Sequence, residues 1–183
     1  MRNNLRPIAK IFIEVSFATI AMWVSGQLSV DFSFLAVPIT LQSLVAFLLP
    51  LLLNGRNASG GILLWLILGS LGLPVFAHAS FGIDRIFSNS GGFLLGFYLI
   101  SFLVRSQKNK IQKGEYVRSF ITFSLLHLVL MQFGLLWIFL GDFSDITFKS
   151  HILPYLPGLV IKSALASLIL DLYLRIRNSV QLK

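Results

Sequence analysis

Residues 120–140 run without a single Asp, Glu, Lys or Arg. As a helix rising roughly 1.5 Å per residue, such a run crosses a bilayer's hydrocarbon core, about 30 Å thick. A soluble fold would have to surround it with polar cover. The composition has little to give: 56% of the 183 residues are hydrophobic and 12% charged, whereas a soluble domain carries about 25% charged residues. Five further apolar blocks lie at 11–28, 39–53, 58–71, 91–104 and 153–174. The fold class expected is therefore an all-α integral membrane protein with six transmembrane helices, forming one membrane domain over 1–183. The blocks at 39–53, 58–71 and 91–104 are short for the roughly 20 residues of a straight crossing. Gly and Pro interrupt their surroundings in "LLPLLLNGRNASGG" and "LGSLGLPVF". Short, broken spans tilt little, thin the bilayer or are shielded by neighbours, and in transporters they lie near the substrate. Residues 39–71 also admit a single re-entrant hairpin.

The charges test the number of spans. With the N-terminus in the cytoplasm, the inner segments hold twelve basic residues: Arg2, Arg6, Lys10, Arg56, Arg105, Lys108, Lys110, Lys113, Arg118, Arg175, Arg177 and Lys183. The outer segments hold only Arg85 and Lys149, beside Asp31, Asp84, Asp142 and Asp145. Positive charge collects on cytoplasmic loops, and an odd number of spans would break the alternation. A multi-pass protein of the cell (inner or plasma) membrane follows, with both termini cytoplasmic. The net charge of +8 is then topology and not a nucleic-acid footprint, because the basic residues sit between apolar blocks. The basic start imitates a signal peptide, but no small-residue cleavage site followed by a soluble body appears, so the first run is expected to stay. The one long polar linker is residues 105–119.

Several chemistries find no support. Cysteine is absent, and His78, His127 and His151 show no HxxxH spacing, so neither a metal nor another cofactor is expected. No phosphate loop, nucleophile elbow or paired carboxylates point to an enzyme, although Glu14 and His127 are titratable groups within the spans. If transport is driven by ATP, another subunit hydrolyses it.

Lys162 is the only charge in "YLPGLVIKSALASLIL", and a charge inside a span is expensive. Pro154 and Pro157 suit a helix entry, where a missing N–H costs little. Lys162 comes five residues after Pro157, about 7.5 Å along the helix, below the outer surface and above the midplane. There it can line an outward-facing cavity and offer its ammonium to a carboxylate; the alternative is snorkelling to the headgroups. In "VPITLQS", Thr40 and Gln42 follow Pro38 at a helix start. They can bond a polar ring, or else Thr40 its own helix and Gln42 a neighbouring one. Between the third and fourth spans, Phe76, Phe81, Phe87 and Phe93 alternate with His78, Asp84, Arg85 and Asn89. Such a loop can cover an apolar pocket and read a ligand's polar edges, or simply pack on the helix ends.

The elements "VPITLQSLVAFLLPLLLNG", "GSLGLPVF", "GGFLLGF" and "YLPGLVIKSALA", in this order, resemble BioY, the biotin-binding S components of energy-coupling-factor (ECF) transporters. The resemblance covers most of the chain. It implies capture of biotin from outside and partnership with a transmembrane T component and two cytoplasmic ATP-binding subunits, with release by toppling in the membrane. It also implies that Lys162 matches the family's lysine on the last helix and that 72–90 matches its loop. The ligand-binding set drawn from both readings is Lys162, Gln42, Thr40, Asn89, Phe76, Arg85 and Phe93. The chain departs from the family pattern at Leu159, where aspartate is common, and at "SNSGGF", where Ser88, Asn89, Ser90 and Phe93 replace glycine, proline, threonine and tyrosine. On the first helix, the small-residue pattern expected to face the T component is imperfect: Ala21 and Ser25 are four apart, but Met22 follows Ala18 at the same spacing. Two alternatives stay open: an importer for another vitamin or a biotin precursor, and a membrane scaffold without cargo.

Overall fold

The computed structural model describes residues 2–30, 39–112, 115–141, 152–153 and 155–181. Asp31, Pro38, Lys113, Asp142, Asp145, Lys149, His151, Pro154 and Lys183 lie outside them. The described chain forms helices α1 (Arg2–Gln27), α2 (Gln42–Leu52), α3 (Gly55–Ser70), α4 (Gly91–Gln112), α5 (Tyr116–Gly141) and α6 (Tyr155–Gln181). A two-residue antiparallel pair, β1 (Ser29–Val30) and β2 (Ile39–Thr40), precedes α2. Two short 3-10 turns, Ala77–Ala79 and Ile83–Arg85, lie between α3 and α4.

Beyond Ser43 the helix α2 is apolar on all sides and occupies the middle, packed on α3, α4, α6 and α1, as such a helix must. It has 11 residues, about 16 Å, and its neighbours shield it. The long helices turn apolar faces outward instead: Phe12, Phe17 and Trp23 on α1, and Leu125, Leu136 and Phe139 on α5, are exposed. In water this would be a liability, whereas in hydrocarbon it is the required surface. Pro7–Gln27 and Tyr116–Gly141 are long and apolar enough to cross a membrane.

Polar side chains fasten the helices where their backbones come close. Thr19 Oγ1 donates to Gly61 O (2.9 Å) between α1 and α3, and Ser101 Oγ donates to Ser59 Oγ (2.8 Å) between α4 and α3. This is hydroxyl bonding of the kind that joins helices in membranes. Ala18, Met22 and Ser25 are all buried, with Ser25 Oγ on Met22 O. The Ala21–Ser25 pair therefore does not form an outward face, because Ser25 belongs to the interior. The expected polar linker is also corrected: α4 continues to Gln112 and α5 begins at Tyr116. Arg, Lys and Gln are good helix formers and carry both helices past the apolar zone. At the α2–α3 turn, Lys108 Nζ donates to Pro50 O (3.0 Å) and Leu53 O (2.8 Å), and Glu14 accepts from Asn57 Nδ2 (2.8 Å) and Asn54 N (3.3 Å). Glu14 and Lys108 thus satisfy backbone groups that a helix end leaves open.

Candidate functional site

The start of α2, the 76–90 segment, the first turns of α4 and α6, and the middle of α5 surround a cavity of about 200 Å³. Three helices therefore begin at its wall, and helix N-termini favour negative charge. Its polar and charged lining includes Lys162, Arg85, His78, Thr40 and Ser43, with no Asp or Glu among the described residues.

Lys162 sits in the third turn of α6. Its Nζ donates to Thr40 O (3.0 Å) and Ser43 Oγ (3.1 Å). An ammonium has three N–H donors, so these two neutral acceptors leave one N–H over among the described residues. The Lys162 ammonium faces the α2 start and the cavity, so its bonds are not those of a side chain reaching for headgroups. Gln42 is 2% exposed, and its Nε2 donates to Met22 O on α1 (3.3 Å) while Oε1 accepts from Thr40 Oγ1 (3.4 Å). Of the two roles open to Gln42, the interhelical bond is the one made here.

Aromatic rings supply the apolar walls. Phe76 stands edge-on to Trp65, with centroids 5.2 Å apart, and Phe93 stacks on Tyr155 at 6.5 Å. Each ring lies against a glycine: a Cβ added at Gly69 would come 2.3 Å from Phe76, and one at Gly134 would come 2.2 Å from Phe93. Phe81 and Phe87 are exposed and are not among the residues lining the cavity.

The segment carrying Phe76 is held from α1. Gln27 Nε2 donates to Phe76 O (2.9 Å), and Gln27 Oε1 accepts from Ala79 N (2.9 Å). Between them, His78 and Ala79 adopt positive φ of 57° and 51°, a region that costs non-glycine residues about 1–3 kcal/mol and persists only under constraint. We expect Gln27→Ala to release the segment, so that the Ala79 amide exchanges faster with deuterium and the thermal midpoint falls. Unchanged Ala79 exchange would show that the clamp is redundant.

Of the residues singled out in the sequence, Lys162, Gln42, Thr40, Phe76, Arg85 and Phe93 line this one cavity. Asn89 does not; it is partly buried beside Ser90, which does. Ser43, His127, Tyr155 and Leu159 line it as well. Ser43 was signalled only by its place next to Gln42, and His127 only by being the one imidazole in an uncharged run. Leu159 is 9% exposed and presents an apolar group to the cavity, at the place where the resemblance led to an expected aspartate.

The model of the BioY family matches residues 1–179. The "Biotin transporter BioY2" of Lactococcus lactis is 37% identical over 102 residues, 56% of this chain and 56% of that protein. The "Probable biotin transporter BioY" of Bacillus subtilis is 32% identical over 165 residues, 85% of each chain. Among solved structures, the S-component for biotin from an ECF-type ABC transporter superposes with a TM-score of 0.75, covering 97% of this chain and 95% of that one at 24% identity. Its all-α S-component fold is the fold described above. With the family model matching residues 1–179 of the 183, the chain belongs to the BioY family.

Proposed function

We propose that this chain is the membrane substrate-binding subunit of a biotin importer, working with a transmembrane coupling (T) subunit and ATP-binding subunits. One arrangement carries the proposal: a lysine ammonium in a cavity wall, held by two neutral acceptors, with no acid among the described lining residues. A desolvated cation so placed calls for an anionic ligand, and biotin has a carboxylate. Its thiophane ring and aliphatic tail suit the walls of Phe76, Phe93 and Tyr155. Its ureido ring falls to Thr40, Ser90, Arg85 and the 76–80 backbone, since the Gln42 amide already has partners; Asn89 would join only if its segment shifts. The names of the Lactococcus and Bacillus relatives, both naming a biotin transporter, support the same vitamin. We further place the protein as one domain in the cell membrane, with six crossing helices and both termini cytoplasmic, on the twelve-to-two basic asymmetry. It is a binding subunit and not an enzyme.

Leu159 favours a second reading, an importer for another vitamin or a biotin precursor, because it removes a carboxylate that would accept ureido N–H groups. A thermal-shift screen of the detergent-solubilised protein with biotin, desthiobiotin, thiamine and riboflavin separates the two. Biotin at about a hundredfold over its Kd is expected to raise the midpoint by about 5 °C or more. A shift with thiamine or riboflavin alone would transfer the function to that vitamin, and no shift with any of the four would sink the importer.

A further inference from the structure

Behind Lys162, a line of polar side chains runs from the cavity wall into the α5–α6 interface. Lys162 Nζ donates to Ser43 Oγ at 3.1 Å. Ser43 Oγ lies 3.3 Å from His127 Nε2. His127 Nδ1 lies 3.0 Å from Phe123 O and 3.0 Å from Ser163 Oγ. The imidazole is 5% exposed and set edge-on to Phe47, with centroids 4.3 Å apart.

The hydrogens along this line follow by elimination. A backbone carbonyl only accepts, so Nδ1, facing Phe123 O, carries the hydrogen. It shares that hydrogen with Ser163 Oγ as a three-centre bond. In the neutral imidazole Nε2 is then a bare acceptor, and the donor beside it is the Ser43 hydroxyl. A serine has one hydroxyl hydrogen. Once it points at Nε2, Ser43 can turn only lone pairs toward Lys162. The direction of the whole line is thus fixed at the Phe123 carbonyl and delivered at the ammonium.

Resting on the proposed carboxylate role of Lys162, we infer that His127 is a positioning residue for that lysine. By accepting the Ser43 hydrogen it keeps Ser43 Oγ an acceptor, so two ammonium hydrogens are set on Thr40 O and Ser43 Oγ before the ligand arrives. The third remains for the ligand's carboxylate. Without the imidazole acceptor, the Ser43 hydroxyl rotates freely, its hydrogen competes for the carboxylate, and part of the preorganisation is lost.

The readout is the ratio of affinities for biotin and biotin methyl ester, measured by calorimetry on the purified full chain, since the ester removes the charge that Lys162 would meet. The shorter amide in His127→Asn reaches the Nδ1 place but not the Nε2 place, so it keeps the Phe123 bond and loses Ser43. It is expected to lower the acid-over-ester preference about fivefold, the worth of roughly one hydrogen bond. His127→Gln places an amide oxygen near Nε2 and restores most of the preference. Ser43→Ala lowers it as His127→Asn does, and the double variant lowers it no further. Equal preference in His127→Asn and wild type, or losses that multiply in the double variant, overturns the inference. If neither His127 variant stays monodisperse, loss in Ser43→Ala with retention in Ser43→Thr supports it, and the same outcome for both overturns it. Lys162→Gln separates the two levels: unchanged preference there removes the carboxylate anchor itself, while a drop there without one in His127→Asn removes only the positioning role.

Discussion

Replacing Lys162 with Met is expected to weaken biotin binding by about tenfold or more while leaving the empty protein as stable as before, or more stable. The two signs have one cause. No acid among the described residues pairs with this ammonium, and its acceptors are a carbonyl and a hydroxyl. Removing a buried charge that lacks a counter-charge relieves desolvation, and a well-packed apolar replacement is often neutral or stabilising. A lysine placed for stability would behave the other way, with the thermal midpoint falling and affinity following it. Lys162→Arg is not expected to recover binding, because a planar guanidinium cannot reproduce a compact ammonium seated between Thr40 O and Ser43 Oγ. Calorimetry with biotin and thermal unfolding without it check both halves. Unchanged affinity in Lys162→Met would take the anchor away from the proposed function.

The second large effect is expected at Gly69. An alanine there would place its methyl 2.3 Å from the Phe76 ring. Phe76 is 1% exposed and backed by Trp65, itself fully buried, so the cavity is where the ring can yield. Overpacking of this kind costs about 1–3 kcal/mol, against a gain of about 1 kcal/mol in helix propensity for replacing glycine. The net result is a lower thermal midpoint together with weaker biotin binding, because the displaced ring enters the ligand's space. Gly60→Ala is the control on the same helix: its nearest neighbour would be Val15 Cγ2 at 3.8 Å, an ordinary contact, so stability should hold or rise. Should the two alanine variants behave alike, Gly69 would not be what seats the aromatic wall.

The helices were legible in the sequence because each rests on an apolar run, and hydrocarbon tolerates little else. Their ends were less so. The helices α4 and α5 extend through residues that read as a polar linker, since Arg, Lys and Gln continue a helix as readily outside the apolar zone as within it. The candidate site was legible to the extent that its chemistry was unusual for its surroundings. Lys162 stood out as a lone charge, and Phe76 and Phe93 as aromatics beside Gly and Pro. What the sequence could not reveal was pairing at a distance. The Gln42 amide meets Met22 O across 20 positions, and His127 meets Ser43 across 84. Neither spacing carries a local pattern, and the tilt of α5 against α2 decides whether an imidazole in an apolar run has a partner. The small residues of α1 misled for the same reason: small size permits close packing but does not say which neighbour uses it.

The helix α3 has a consequence for the lipid around it. Its 16 residues amount to about 24 Å, and Leu63, Leu64 and Ile67 are exposed, so under the proposed six-span placement lipid would meet a wall shorter than a hydrocarbon core of about 30 Å. In that placement the leaflets would pinch there, at fractions of a kcal/mol per Å, and bilayers built from longer tails would load that flank with elastic energy. Tail length would then be a setting of the protein's own energetics, to be held constant whenever uptake is compared between liposome preparations.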